Sequence, residues 1–314
     1  MLSKKNPNPK PLDVPLDDLE KAIGQTTLKA SRDGNSLIVQ NGNLITRIDV
    51  IPPANRECGD ATINAVVQIK TELPKEIVAG FRIGPQLAGT FNRMATLGAL
   101  TIEKNCYFIG SRLTIYDQEN AWRLHRGILL ATAILAAGSF LCAMRRVFTK
   151  EEPLRRASAW TAQDLNLVES HLSEVCACST GDLRLTAQLS LRGRNGSAMS
   201  GDHHTGLWRI FADQPHPKLG GGLFCLLELP HRIADVSRRD LVLNRLNQME
   251  MAAHDLPPHF GAWCRGHQGN NPAYVAFFPN VMHTVEGIAL NASMWALFRA
   301  DWANAALASL GVQP

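Results

Sequence analysis

Two periods of hydrophobic residues, one helical and one strand-like, each occur twice along the chain and in the same order. Leucine, isoleucine and valine recur every three or four positions over residues 15–23 and again over 165–175, which predicts helices with one apolar face. Apolar and polar residues then alternate at 63–70 and at 183–192, as in strands with one buried and one wet face. The pattern predicts an α+β protein of two tandem units, each an antiparallel sheet packed with helices.

The first unit is predicted to begin with the helix 15–23 and to continue into an antiparallel meander. Asp33–Gly34 and Asn41–Gly42 are dipeptides that supply the positive φ of tight hairpin turns. Residues 76–100 predict a helix broken by glycines, and residues 106–116 predict a hairpin that turns at Gly110–Ser111. A long helix closes the unit. The predicted strands span residues 27–31, 36–40, 44–51 and 63–73.

The second unit repeats that order of elements. Its first helix follows Thr161, a residue suited to an N-cap, and covers residues 165–175. A helix over 238–253 and a closing helix that includes Leu290 and Phe298 are predicted from the same kind of spacing. The predicted strands span residues 183–191, 207–212, 223–229 and 273–278.

Short sequence echoes support a duplication. Glu72–Pro74 and Glu228–Pro230 both read Glu-Leu-Pro and both close an apolar strand, while Phe91–Met94 and Leu243–Leu246 share a central Asn-Arg within the following helix. Their weight comes from recurring in the same order at nearly constant separation.

Three segments follow from this organisation. Residues 1–14, which are rich in lysine and proline, are predicted to be a flexible leader. The apolar pattern is interrupted by charged residues and Pro153 between 150 and 160, where a linker is expected. The first unit is therefore assigned to residues 15–150 and the second to 151–314.

Composition narrows the class of protein. The chain has 314 residues, 45% of them hydrophobic, and a formal net charge of +4, which is small for its length and does not favour nucleic-acid binding. Seven cysteines form an odd set without a regular framework, which suits free thiols in a reducing compartment. We expect a cytoplasmic protein and no cofactor.

One apolar run supports two interpretations. Residues 127–144 carry no charge and are flanked by Arg126 and by Arg145–Arg146, and eighteen residues is the lower limit for a membrane span. The run contains five alanines together with Thr132, Gly138 and Ser139, so it is only moderately hydrophobic. A helix buried in a large core is the favoured interpretation, and membrane association is the alternative.

The order of a helix, an antiparallel meander, a helix, further strands and a closing helix, together with Glu-Leu-Pro before the middle helix, resembles the YbjN-like domain. That domain shares its fold with type III secretion chaperones. The resemblance covers most of residues 12–310, and it implies a non-enzymatic protein that binds another protein as an adaptor, sensor or chaperone. Tandem forms in anti-phage gene neighbourhoods suggest a role in bacterial defence. Secretion chaperones are smaller and acidic, whereas this chain is mildly basic, so an adaptor role is preferred.

The strongest candidate chemistry is a group of histidines and one cysteine. His254, His259, Cys264 and His267 lie close in sequence, and imidazole and thiolate are ligands that zinc prefers. Their spacing matches no common zinc pattern, and the sequence contains no G-x-S-x-G, H-E-x-x-H or glycine-rich nucleotide loop. A metal site at His259, Cys264 and His267, serving a metal-dependent enzyme, is the alternative to a binding protein.

A candidate binding surface lies on the strand 183–192. Arg184, Thr186, Gln188 and Arg192 alternate with buried leucines and an alanine, so they are expected on the exposed face of the second sheet. A sheet covered by helices on one side leaves that face, or an edge strand, free to bind an extended peptide. The sequence thus favours a protein partner, and it leaves a homo-oligomer open.

Overall fold

Two antiparallel sheets, each covered by helices, form the protein. A computed structural model describes residues 14–53, 57–58, 61–84, 88–116, 121–152, 157–192, 205–213, 216, 219–266 and 270–312. Within these residues the α+β prediction is confirmed, because helices and antiparallel strands follow one another in the predicted order in both units. Of the predicted leader, only Val14 lies within the described residues.

Seven helices and thirteen strands are described. The helices are α1 Leu16–Gly24, α2 Lys75–Gly80, α3 Ala88–Phe91, α4 Ala121–Phe148, α5 Ala162–Leu172, α6 Val236–Ala252 and α7 Ile288–Ser309. The strands are β1 Lys29–Asp33, β2 Ser36–Asn41, β3 Leu44–Ile51, β4 Glu57–Cys58, β5 Ala61–Glu72, β6 Ala99–Glu103, β7 Cys106–Tyr116, β8 Ala177–Gly181, β9 Arg184–Ser190, β10 Thr205–Phe211, β11 Gly222–Glu228, β12 Ala262–Arg265 and β13 Pro272–Pro279. Two 3-10 turns, Asn92–Met94 and Asn280–Thr284, precede β6 and α7.

The two sheets have the same strand order. The first runs β1-β2-β3-β5-β7-β6, with the short β4 paired to β5, and the second runs β8-β9-β10-β11-β13-β12. All described pairs are antiparallel. In each sheet the last two strands therefore lie in reverse of their chain order. The strands β1 and β8 form one edge of their sheets, and β6 and β12 form the other.

Helices cover one face of each sheet, which we call the inner face. Over the first sheet α1 and α4 pack on strands β1, β3, β5 and β7, and over the second sheet α5 and α7 pack on β8, β9, β10 and β11. The inward residues of α1 are Leu16, Leu19 and Ile23, and those of α5 have the same spacing, Leu165, Val168 and Leu172. The face without these helices is called the outer face.

The apolar run predicted at 127–144 lies in α4. This helix crosses the first sheet and supplies fully buried side chains such as Leu129 and Phe140 to the core. Half of its most apolar window is buried, and its length and composition also suffice to cross a membrane. About half of the charge-free stretch is therefore buried in the core.

Two expectations within the first unit need correction. No hairpin turns at Gly110–Ser111, because β7 continues through both residues and pairs with β5 from Phe108 to Tyr116. The turn lies instead at Lys104–Asn105, whose φ angles are positive, between β6 and β7. The predicted helix 76–100 stops at Met94, and its last residues form the start of β6. A Cβ at Gly110 would lie 3.2 Å from the end of the Met251 side chain in the second unit.

The two sequence echoes can be compared with the structure. The first joins equivalent positions, and the second is out of register by about one helical turn. Glu72 and Glu228 end the equivalent strands β5 and β11. The counterpart of Asn92, however, is Asn247 and not Asn244. Asn92 bonds the backbone N–H and C=O of Leu100 in β6, and Asn247 bonds the same two groups of Trp263 in β12.

Candidate functional site

Strand β8 is an edge strand of the second sheet. On the side away from β9 it has no strand neighbour among the described residues. Its residues Ala177–Gly181 carry no charge, and alternate positions are exposed. Just before it, Val175 is 59% exposed. Since alternate residues of an edge strand direct their N–H and C=O groups away from the sheet, β8 presents a free backbone ladder beside small side chains.

The equivalent edge of the first sheet provides a direct comparison. Strand β1 occupies the same place and has the same length, but three of its five residues are charged: Lys29, Arg32 and Asp33. Charged edge residues are a common protection against pairing with other chains. Only β8, of the two equivalent edges, is unprotected in this way.

The outer face of the second sheet is more apolar than that of the first. The strand registers make Asp49, Gln68 and Lys70 equivalent to Phe211, Phe224 and Leu226. The two phenylalanine rings lie 6.0 Å apart, and all three apolar residues are half-buried. We call Phe211, Phe224 and Leu226 the outer apolar patch.

Three of the four predicted binding residues lie together beside this patch, and one does not. Arg184, Thr186 and Gln188 are on the outer face of β9, with Leu185 and its alternating apolar neighbours pointing inward. Arg184 pairs with Asp213 at 2.9 Å, and its guanidinium lies 5.8 Å from the Phe211 ring centre. Arg192 lies beyond the strand end, where its side chain and backbone N–H contact Asp301 of α7.

Two thiols on β8 and just before it lack the features of catalytic cysteines. Cys176 and Cys178 are both half-buried. Burial raises the pKa of both, that of Cys178 to about 11. A thiol with a raised pKa is protonated at neutral pH and is a poor nucleophile, so this edge offers backbone and surface for binding and no activated sulfur.

The predicted metal ligands are not gathered at one point. His259 stacks against Tyr274, which faces inward with its strand partner Trp263. Cys264 is next to Trp263 and therefore points to the outer face, where it packs on Ala273 and Val275. Burial raises its pKa to about 12. His267 lies outside the described residues, within which no group of three His, Cys, Asp or Glu side chains is placed to hold a metal.

The two units meet through reciprocal backbone contacts. The residue three positions before β12, His259, exchanges two backbone hydrogen bonds with Arg112 of β7, at 3.1 and 2.7 Å. The residue three positions before β6, Thr96, accepts one from Phe277 of β13 at 3.4 Å. Phe277 is the counterpart of Arg112 by register. Each unit thus places a short backbone segment beside a strand of the other, and we call this region the junction.

Side-chain hydrogen bonds also cross the junction in both directions. Arg93, directly after Asn92, donates to the backbone oxygen of Arg265 in β12 at 2.9 Å. Gln248, directly after Asn247, donates to the backbone oxygen of Ile102 in β6 at 2.6 Å. Because these groups cross from one unit to the other, the junction fixes the two sheets against one another.

A buried charged network fills the centre of the junction. The Glu250 carboxylate accepts hydrogen bonds from Arg299 Nε and Trp263 Nε1, both at 2.7 Å. Its Oε1 lies 3.2 Å from His259 Nδ1, without the angle of a hydrogen bond, since both ring nitrogens lack a partner. Arg112 donates to the carbonyl oxygens of Glu250, Leu256 and Pro257 at 2.7–3.1 Å.

The charges in this network are set by burial and by one another. Burial alone would raise the pKa of Glu250, but Arg299 and His259 outweigh it and hold that pKa well below its usual range. Burial lowers the pKa of His259 more than Glu250 raises it, so the ring is neutral at pH 7. Burial lowers the pKa of Arg112 to about 10, which still leaves it charged. The network binds the units together, and its polar atoms face protein.

One surface cleft of about 330 Å³ lies between α5 and the turn into α7. His283 stacks edge-on against Trp160 at 5.3 Å and lies 3.4 Å from Asp164. Asp164 also forms a capping box with Thr161, so its carboxylate is already engaged. None of the described residues that line the cleft is Ser, Cys or Lys, and the Thr284 hydroxyl donates to the backbone oxygen of Val281 at 2.7 Å.

No family model, curated protein or solved structure matches the chain at a significant level.

Proposed function

We propose that the chain is a non-catalytic protein-binding protein that captures an extended segment of a partner by adding it to strand β8. The observation that carries this proposal is the contrast between the two equivalent edges: β8 is free of charge, whereas β1 carries three charged residues. Strand addition uses the main-chain groups of an exposed edge for affinity and alternate side chains for specificity. The resemblance to YbjN-like domains, which implies partner recognition, points the same way.

The strength of such binding can be bounded from the length of the edge. Five residues of β8 would form roughly five backbone hydrogen bonds, each contributing about 0.5–1.5 kcal/mol net. That total is about 3–7 kcal/mol before the cost of ordering the peptide, which corresponds to weak binding. We therefore expect part of the affinity to come from side chains.

The outer apolar patch is suited to that second contribution. Phe211 lies on β10, two strands from β8, and adjacent strands are about 4.8 Å apart. The partner chain beyond its added strand could cross the outer face of the sheet. It would pass Thr186 and Gln188 of β9 and reach the outer apolar patch after about 10 Å. Arg184, held by Asp213, borders this path and favours a partner with an acidic or carbonyl-rich segment there.

The proposal is tested with one substitution on each edge. Ser179 of β8 and Ser31 of β1 occupy equivalent register positions and both are exposed. A lysine at either site should leave the fold intact, because each side chain faces solvent, but a lysine at 179 places a charge on the unprotected edge. The assay recovers partners from cells that naturally express the chain, using the wild type, S179K and S31K as baits.

We expect the wild type and S31K to retain the same specific partner and S179K to lose it by at least about tenfold in affinity. Equal loss in both variants would show that the edge has no special role. Turnover of a small substrate by the purified protein, with no specific partner recovered, would overturn the proposal altogether.

A further inference from the structure

The chain that leads into the core of α4 and the chain that leads into α7 are equivalent but differ in charge. Residues 126–128 read Arg-Gly-Ile and residues 286–288 read Glu-Gly-Ile. Buried residues follow with one spacing in both helices, at 129, 132, 133 and 136 in α4 and at 289, 292, 293 and 296 in α7. Glu286 therefore occupies the place of Arg126, with the opposite charge.

In the first unit an ion pair joins two helices at this place. Arg126 Nε lies 2.5 Å from Oδ2 of Asp18 in α1. The buried residues of α1 and α5 share one spacing, which puts Leu167 of α5 at the position of Asp18. The second unit thus has Leu167 and Glu286 where the first has a carboxylate and a guanidinium, and these two side chains cannot form an ion pair.

The backbone differs at the same point. The helix α4 begins at Ala121 and includes Arg126, whereas α7 begins at Ile288, after Gly287 with a φ of 69°. Glycine adopts this left-handed conformation without strain, and residues 285–287 form a turn. The helical turn that carries Arg126 in the first unit therefore has no helical counterpart beside α5, and the cleft of about 330 Å³ lies there.

The lining of the cleft is that of a site for a small ligand. Its volume is near the lower limit for such sites, which are mostly apolar and have a few polar groups that fix orientation. Apolar side chains of α5 and α7 form its walls: Leu167, Val168, Ile288 and Leu290. The carboxylates of Asp164 and Glu286 line it as well.

These carboxylates give the cleft an excess of negative charge. Glu286 is exposed, and within the described part of the chain no cationic nitrogen lies within 4.0 Å of its carboxylate. The contacts of Asp164 with Thr161 and His283 all involve its Oδ2. No lysine or arginine is among the described residues that line the cleft. A bound cation would supply the charge that Arg126 supplies in the first unit.

We propose that this cleft binds a guanidinium group carried on a short alkyl chain. A guanidinium group forms two parallel hydrogen bonds with a carboxylate, and Glu286 is the carboxylate without an ion pair. The alkyl chain would pack on Leu167 and Leu290, as the stems of arginine side chains do on apolar surfaces. No residue of β8 lines the cleft, so the site stands or fails independently of strand addition.

The test is calorimetric titration of the full chain at constant ionic strength. The probes are butylguanidinium, its neutral analogue butylurea, and the blocked tripeptide Gly-Arg-Gly. The variant E286Q removes the charge with little change of shape. Its matched control is E174Q, because Glu174 is also an exposed residue of the second unit but does not line the cleft. A double variant, L167D with E286R, introduces the ion pair of the first unit into the second.

We expect butylguanidinium to bind the wild type and E174Q equally and E286Q at least about tenfold more weakly. Butylurea should bind the wild type at least about tenfold more weakly than butylguanidinium does, because it carries no charge. The double variant should bind neither cationic probe. Tighter binding of the tripeptide would assign the site to an arginine side chain of a partner, and tighter binding of butylguanidinium to a free small cation.

Three results would overturn the proposal. One is the absence of binding by both cationic probes to the wild type. Another is an equal affinity of E286Q and E174Q, which would remove Glu286 from the site. The third is an equal affinity for butylguanidinium and butylurea, which would show that the cleft recognises the alkyl chain alone. If the double variant fails to fold, E286Q still decides the matter, because Glu286 is exposed and its substitution should not disturb the core.

Discussion

Replacement of Glu250 by glutamine should destabilise the protein far more than loss of an exposed ion pair. Glu250 is 1% exposed and is the one carboxylate placed among Arg112, Arg299 and His259 in the described network. The amide cannot offset the arginine charges, and breaking a buried pair from one side costs about 3–5 kcal/mol. Because folded proteins are stable by only about 5–15 kcal/mol, this is a large part of the total.

The measurement is equilibrium unfolding in urea, followed by tryptophan fluorescence and by circular dichroism. The control is D213N, which breaks the pair of Asp213 with Arg184, whose side chain is 61% exposed. Exposed pairs contribute little to stability, because water screens their charges. A second variant, E250Q with R299M, removes both charges and should recover part of the loss. Equal midpoints for E250Q and D213N would refute the reasoning.

The same network predicts how stability depends on pH. Glu250 has a lowered pKa in the folded state, so its contribution is complete above the unfolded value of about 4.3 and is lost as pH falls toward the folded value. In E250Q that acid-induced loss should be smaller. A profile of unfolding free energy between pH 3 and 7 for both proteins measures the difference.

Three further predictions concern single contacts elsewhere. Burial lowers the pKa of His216 to about 4, below its unfolded value of about 6.5. The free energy of unfolding should therefore fall by about 3 kcal/mol as pH decreases from about 6.5 to about 4. In H216Q the pH dependence of unfolding over that range should flatten by up to about 1.4 kcal/mol per pH unit. N92A and N247A should each cost about 2–4 kcal/mol in urea unfolding, because each leaves two backbone groups of an edge strand unpaired; a clear difference between them would contradict their equivalence. G261A should lower the Tm strongly, since an added Cβ would lie 2.1 Å from a backbone oxygen, whereas G181A meets nothing within 4 Å and should leave the Tm almost unchanged.

Periodicity was informative wherever one strand or helix had a single buried face. The predicted strand 183–191 corresponds to β9, and the predicted helix behind Thr161 corresponds to α5 with its capping box. It failed for β6 and β12, the two strands at the junction. These are short, and each packs against helices of both units, so neither alternates in a way that a single-unit pattern would detect.

The uncharged edge strand β8 could have been found from sequence, but the buried network could not. The absence of charge in 177–181, set against Lys29, Arg32 and Asp33 at the equivalent place, is visible once the units are aligned. Glu250 and Arg299 are 49 residues apart and lie on different helices, and nothing in local spacing pairs them. The histidine and cysteine group attracted attention for its chemistry, yet His259 and Cys264 pack on opposite faces of one sheet.

The junction also delays completion of the first unit during synthesis, because its partner residues lie in the second unit. Arg112 finds its carbonyl partner Pro257 only 145 residues later in the chain, and ribosomes add about 5–20 residues per second. A nascent first unit would therefore remain for roughly 7–30 s with its open strand and a cationic side chain unsatisfied. During that interval the growing chain exposes the surface that its own second half will later cover. The first unit therefore completes its packing only after the second unit has been synthesised.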